Sequence, residues 1–103
     1  MPQLIFKGVK REDTIELSSK LPEKLSEMTG TPIDYFTIER PMTEYFSNGK
    51  EFEMYPLIEV IQFDRGLSLE KKMAELIQTE VKNLGYSECE VYFTHVSEDD
   101  YYE

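Results

Sequence analysis

The chain has 103 residues, 40% hydrophobic and 13% aromatic, and its 21 acidic side chains against 11 basic ones give a net charge of −10. That length fits one domain with a modest core, and the charge repels phosphate backbones and anionic membrane surfaces, so neither nucleic acid nor membrane is an expected partner. Cys89 and His95 are the only residues of their kinds, which excludes an internal disulfide and the usual His/Cys zinc set, so no metal or cofactor is expected. A signal-peptide pattern and a run of about 18 apolar residues are both missing, and a cytoplasmic location is the expectation.

Pro2 to Phe6 reads as a strand, with proline tolerated at the first position because no ladder donor is needed there. Gly8 breaks it. Asp13 or Thr14 is the expected cap of a first helix, whose Leu17, Leu21, Leu25 and Met28 lie on one face. Pro22 falls inside that pattern and should kink or split the helix. Gly30 is the expected stop, with Pro32 soon after. Tyr35 to Glu39 reads as a second strand, parallel to the first. Thr43–Phe46 and Glu51–Met54 flank Ser47-Asn48-Gly49-Lys50, a strong hairpin signal. Pro56 opens a third strand, Leu57 to Phe63, ended by Asp64-Arg65-Gly66. Ser68 is the expected cap of a second helix, with Leu69, Met73, Leu76/Ile77, Val81 and Leu84 on its apolar face. Gly85 stops it, and Glu90 to Val96 is the last strand. Ser97 to Glu103 is an acidic, tyrosine-rich surface tail or an arm on a neighbour.

The order proline, strand, helix, glycine, strand occurs twice. The expected fold is therefore α/β (α+β): a single domain over residues 1–103 with β-α-β halves at 1–41 and 56–97. The halves form a four-stranded mixed sheet with both helices on one face, and 42–55 is an inserted hairpin. Apolar residues occupy both alternating sets of the strands, so the second sheet face also needs cover. A chain this short has nothing left to supply it, which predicts an oligomer.

The Met-Pro start, the two halves and the length resemble the tautomerase superfamily, which includes macrophage migration inhibitory factor and 4-oxalocrotonate tautomerase. Within it the chain looks most like the bacterial family called domain of unknown function 1904. The stretches Met1-Pro2-Gln3-Leu4, Thr29-Gly30-Thr31-Pro32, Glu59 to Gly66 and Tyr101-Tyr102 carry that resemblance. It implies a homotrimer with a barrel-like core, sites between subunits, and an amino-terminal proline acting as general base or sometimes acid. The substrates it implies are small anionic ones such as enolisable α-keto acids. By the same resemblance Pro2 matches the catalytic proline, Arg65 a pocket residue beside it, and Tyr92 a pocket residue from a neighbouring subunit. Thr94 stands where an asparagine is usual, and Arg11 lies within about one residue of a substrate-binding arginine. Thr31 and Thr37 replace basic residues, so the carboxylate-binding set is only partly present.

The residues support both functional and structural readings. Methionine aminopeptidase removes Met1 when a small residue such as proline follows, leaving a secondary amine at the strand head. Such an amine works as a base only when unprotonated, and α-amino groups titrate near about pH 8. In the fold that the resemblance implies, the third strand runs antiparallel to the first, so Arg65 would fall near Pro2, where it could hold a substrate carboxylate. The structural alternatives are a plain strand start for Pro2 and a loop arginine paired with Asp64 or Glu70. Glu59, a candidate acid or a partner of Arg65, could instead face a solvated channel. Tyr92 could donate to a developing enolate or simply be an interface aromatic. His95 and Cys89 read as structural residues. Tyr101 and Tyr102 either close over a neighbour's pocket or pack on the surface. The first functional reading is keto–enol tautomerisation of a small α-keto acid with Pro2 as base. The alternative is a non-catalytic homotrimer of the same fold that binds a small ligand or a protein; a ferredoxin-like dimer is a third.

Overall fold

A computed structural model describes all of residues 1–103. Its main sheet is built from β1 (Gln3–Lys7), β2 (Thr37–Glu39), β5 (Leu57–Gln62) and β6 (Glu90–His95), in the order β2-β1-β5-β6. β1 pairs with β2 and β5 with β6 in parallel, and the central β1–β5 seam is antiparallel, with Leu4 opposite Val60. Each parallel pair is joined by its own helix, α1 (Arg11–Thr29) or α2 (Leu67–Lys82). The crossovers join neighbouring strands, so the strand-skipping ferredoxin-like order is not formed. The fold is the mixed-sheet, two-helix arrangement that the repeated halves predict. No helix is long and apolar enough to cross a membrane.

Strand alternation decides which face the helices cover. Leu4 and Phe6 of β1 and Ile58 and Val60 of β5 are fully buried, and they pack with Leu17, Leu21 and Leu25 of α1 and Met73, Ile77 and Val81 of α2. Each such side chain stabilises the fold by roughly 1.5–3 kcal/mol relative to exposure. On the other face Ile5, Leu57, Ile61 and Phe63 are only half-buried, and Tyr92 is 42% exposed.

Several element ends differ from expectation. α1 starts at Arg11 after an extended Lys10, and no side chain caps it. Thr14 lies within the first turn and donates its hydroxyl to the Lys10 carbonyl at 2.9 Å. Pro22 does not split α1; Leu17, Leu21 and Leu25, buried on the same face, hold the helix continuous across it. Gly30 ends α1 with φ 76°, as its position predicts. The segment before β2 is a 3₁₀ turn, Ile33–Tyr35, so that strand begins only at Thr37. α2 starts after Gly66, not at Ser68, and Gly66 donates its N–H to Asp64 Oδ1 at 2.8 Å.

The hairpin forms as β3 (Tyr45–Ser47) and β4 (Lys50–Phe52). Asn48 and Gly49 turn it with φ 53° and 76°, the paired positive values of a type I′ turn. Gly8, at φ 74°, fixes how the hairpin's return meets the body: a Cβ there would lie 2.0 Å from the Tyr55 carbonyl oxygen.

Candidate functional site

Pro2 is buried at the head of β1, and its carbonyl accepts the Thr37 N–H at 3.2 Å. One step beyond the Gln3–Ile61 pair, the β1–β5 ladder sets it against Gln62. Gln62 takes the buried phase of β5 and is fully enclosed. A buried amide is costly unless its groups are paired. Its Nε2 donates to Glu70 Oε2 at 2.8 Å, and its Oε1 accepts from Arg65 Nε at 3.0 Å. Glu70, on the first turn of α2 and 6% exposed, also accepts the Arg65 backbone N–H at 3.3 Å. His95 Nε2 lies 2.9 and 2.8 Å from the two Glu70 oxygens.

Three elements thus build one polar cluster at the Pro2 end of the sheet. Arg65 belongs to it, directed at Gln62 and not at Glu59. Asp64, Glu70 and His95 bring one ligand atom each within 4.8 Å of one another, the raw material of a divalent-cation site. The Glu70 oxygens are already engaged by Gln62, His95 and the Arg65 backbone, so the trio works as a hydrogen-bonded support. Sequence reading missed Gln62 and had Glu70 only as a surface partner of Arg65, yet both leave a signal of burial. Gln62 continues the buried alternation of Ile58 and Val60, and Glu70 continues the stripe of Met73, Ile77 and Val81.

Beside this cluster is a cavity of about 410 Å³, lined by Met1, Asp34, Tyr35, Phe63, Tyr101 and Glu103 among others. The tail reaches it through a 3₁₀ turn, Glu98–Asp100, whose Asp99 N–H donates to Ser97 Oγ at 3.3 Å. The Tyr101 ring then packs edge-on against Phe63, with centroids 5.2 Å apart. Met1 forms part of the cavity wall, and Pro2, the next residue, is enclosed behind it.

The remaining candidates lie elsewhere in the chain. Glu59, Tyr92 and Thr94 share the face of the sheet turned away from the helices. Thr94 donates its hydroxyl to Glu59 Oε2 at 2.6 Å. Partial burial and then the Glu59 carboxylate push the Tyr92 hydroxyl above its usual range. Arg11 is exposed at the start of α1, at the opposite end of β1 from Pro2. Cys89 is buried, and burial pushes its thiol up to about 11.

That opposite end holds a cleft of about 1200 Å³ between the hairpin and the β1–α1 connection. There the Tyr86 hydroxyl accepts the Lys10 N–H at 2.9 Å and donates to Asp13. Burial, and then the Asp13 carboxylate, push that hydroxyl up to about 12. Arg40 Nε donates to the Val9 carbonyl at 2.7 Å.

A parallel-antiparallel-parallel sheet backed by two helices, with a proline heading its central strand, is a tautomerase-like architecture. Over residues 1–103 the chain matches the family described as a domain of unknown function, DUF1904, and it belongs to that family. A DUF1904 protein from Sebaldella termitidis is 30% identical and superposes with a TM-score of 0.93, over 100% of this chain and 95% of that one. A fused 4-OT solved as an asymmetric trimer gives a TM-score of 0.83 at 16% identity, over 99% of this chain and 92% of that one. A macrophage migration inhibitory factor-like protein from Entamoeba histolytica gives 0.71 at 14%, over 99% and 94%. The last two likenesses establish the fold. No curated protein sequence matches the chain.

Proposed function

We propose that this chain is a homotrimeric, cytoplasmic tautomerase-like protein whose Pro2, freed by loss of Met1, moves a proton between the oxygen and carbon of an enolisable 2-oxo compound. The observation that carries this is the burial of Pro2 at the head of β1, next in the chain to Met1, which lines a cavity. In the enol-to-keto direction the unprotonated amine takes the hydroxyl proton and delivers it to carbon. General base catalysis of this kind contributes typically about 10²–10⁴-fold. Arg65, held by Gln62 at the same end of the sheet, is the nearby cation that would favour the unprotonated amine.

The half-buried apolar face of the sheet, which a neighbour would cover, supports an oligomer, and the trimer of the similar fused 4-OT supports three copies. Glu59, Tyr92 and Thr94 lie on that face. They would reach a site only across a subunit boundary, and the same holds for Arg11. In such a boundary the Tyr92 hydroxyl would donate to a developing enolate, with Glu59 held beside it by Thr94.

One observation favours a non-catalytic trimer that binds a small ligand or a protein. The Arg65 guanidinium is engaged with Gln62 and does not line the cavity. Intact mass followed by ketonisation of a phenylpyruvate enol separates the two readings. Loss of Met1, with a rate that falls at least about 100-fold in Pro2→Ala, supports catalysis. Retained Met1, or an unchanged rate in Pro2→Ala, removes it, because the proline nitrogen is then an amide or is idle.

A further inference from the structure

Arg65 is a cation without a counter-ion in a chain that carries 21 acidic side chains. It follows Asp64 and gives its backbone N–H to Glu70, yet its guanidinium makes no ion pair. Its one side-chain hydrogen bond runs from Nε to the neutral amide oxygen of Gln62, at 3.0 Å. The two acids of the cluster are engaged by other donors. Asp64 Oδ1 accepts the Gly66 N–H at 2.8 Å and lies 3.9 Å from His95 Nε2. Glu70 accepts from Gln62 Nε2 and the Arg65 backbone, and His95 Nε2 sits against both its oxygens.

The Gln62 amide decides this arrangement, because its two ends are not interchangeable here. A carboxylate only accepts and a guanidinium only donates. The Gln62 nitrogen therefore faces Glu70 Oε2 at 2.8 Å and Met73 Sδ at 3.8 Å, and the oxygen faces Arg65. Turned over, the amide would set oxygen against carboxylate and N–H against N–H, in a fully enclosed place where neither can be solvated. A satisfied buried network of this kind specifies one arrangement of its members. We propose that Glu70 is a positioning residue: through Gln62 it holds the Arg65 guanidinium in one orientation, with its charge left unpaired, at the Pro2 end of the sheet. The hold itself is independent of the proton-transfer reading above; its effect on the Pro2 amine rests on that reading.

The test follows exchange of the Arg65 Nε–H with water by NMR near neutral pH, in the full chain, with the Leu4 and Val60 methyl signals as a check on the fold. In the parent this proton should exchange slowly. Glu70→Gln keeps nearly the same shape but can donate as well as accept, so the Gln62 amide can turn over and Arg65 loses its acceptor. Exchange should then quicken about tenfold, the scale of one hydrogen bond to a charged group. The swapped pair, Gln62→Glu with Glu70→Gln, again offers an acceptor to Arg65 and a donor between the two side chains, and should return exchange to the parent rate. Free exchange in the parent, equal exchange in parent and Glu70→Gln, or no recovery in the swapped pair would overturn the inference. Ketonisation of a phenylpyruvate enol is measured against pH on the same three proteins, each with Met1 removed. Asp64 and His95, the other titratable groups of the cluster, are common to all three. If Arg65 favours the unprotonated Pro2 amine, the acid limb should move to higher pH in Glu70→Gln. It should stay there in the swapped pair, where a carboxylate at position 62 neutralises the guanidinium. If exchange behaves as expected while the limb stays put or no rate is seen, the proton-transfer reading fails at Arg65 and this inference stands.

Discussion

Pro2 and Pro56 occupy equivalent places in the two halves. Both are buried, both head a central strand, and their carbonyls accept from Thr37 and Glu90 at 3.2 and 3.0 Å. Their surroundings differ. Around Pro2 lie a small cavity and a cluster of enclosed polar side chains. Around Pro56 the wide cleft is bounded by the hairpin, and the backbone just before the proline is pressed against Gly8. Pro56 nitrogen is an amide for as long as Tyr55 precedes it, whereas the Pro2 nitrogen can be freed by one cleavage. The fold therefore makes the same strand start twice, and only one copy can acquire a titratable amine.

Four substitutions test that contrast. Gly8→Ala should be the most damaging. Its methyl would clash with backbone atoms of Tyr55, and the positive φ adds strain, so a loss of about 4 kcal/mol or more is expected. Gly66, also at positive φ but with nothing within 4 Å, should tolerate the same change far better in urea unfolding. The two prolines come next. Pro2→Ala and Pro56→Ala should cost similar stability, about 1 kcal/mol each, while only the former lowers the ketonisation rate. Equal rates for the two variants would mean that both prolines are plain strand starts.

Gln62→Leu examines the polar cluster. It strips a donor from buried Glu70 and an acceptor from Arg65, and should cost about 1–3 kcal/mol. A gain in stability would show that the cluster is kept for something other than folding. Tyr86→Phe, at the far end, should cost about 1 kcal/mol near neutral pH. The folded protein holds the Tyr86 proton to about 12 against a usual 10. That contribution is therefore present in full below about pH 10 and fades as pH rises toward 12. Unfolding at pH 8 and pH 11 should show the gap between parent and variant narrowing.

The repeated halves were legible because strand alternation, helical periodicity and terminal glycines agree in both. The hairpin was legible because Asn48-Gly49 accepts positive φ cheaply. Helix starts were not. Arg11 and Leu67 begin helices without side-chain caps, so the nearest capping residues, Asp13, Thr14 and Ser68, misplaced both. The expected pairing of Arg65 with Asp64, Glu59 or Glu70 missed Gln62, because that contact depends on which face of β5 the helices cover. The antiparallel β1–β5 seam was expected only through the family resemblance, not from the residues themselves. The cavity near Met1 was not legible, since Asp34 and Glu103 come to line one space only once the tail folds back onto Phe63.

The antiparallel seam also has a kinetic consequence. Each β-α-β half is continuous in sequence and can begin to organise from its own contacts. Joining Leu4 to Val60 requires closing a loop that contains α1, β2 and the hairpin. Loop-closure entropy falls most heavily on that pairing, so docking of the halves should be the slow step of folding. The type I′ turn lies inside the loop and shortens its effective length when formed early. Lengthening the turn would then retard folding more than it hastens unfolding.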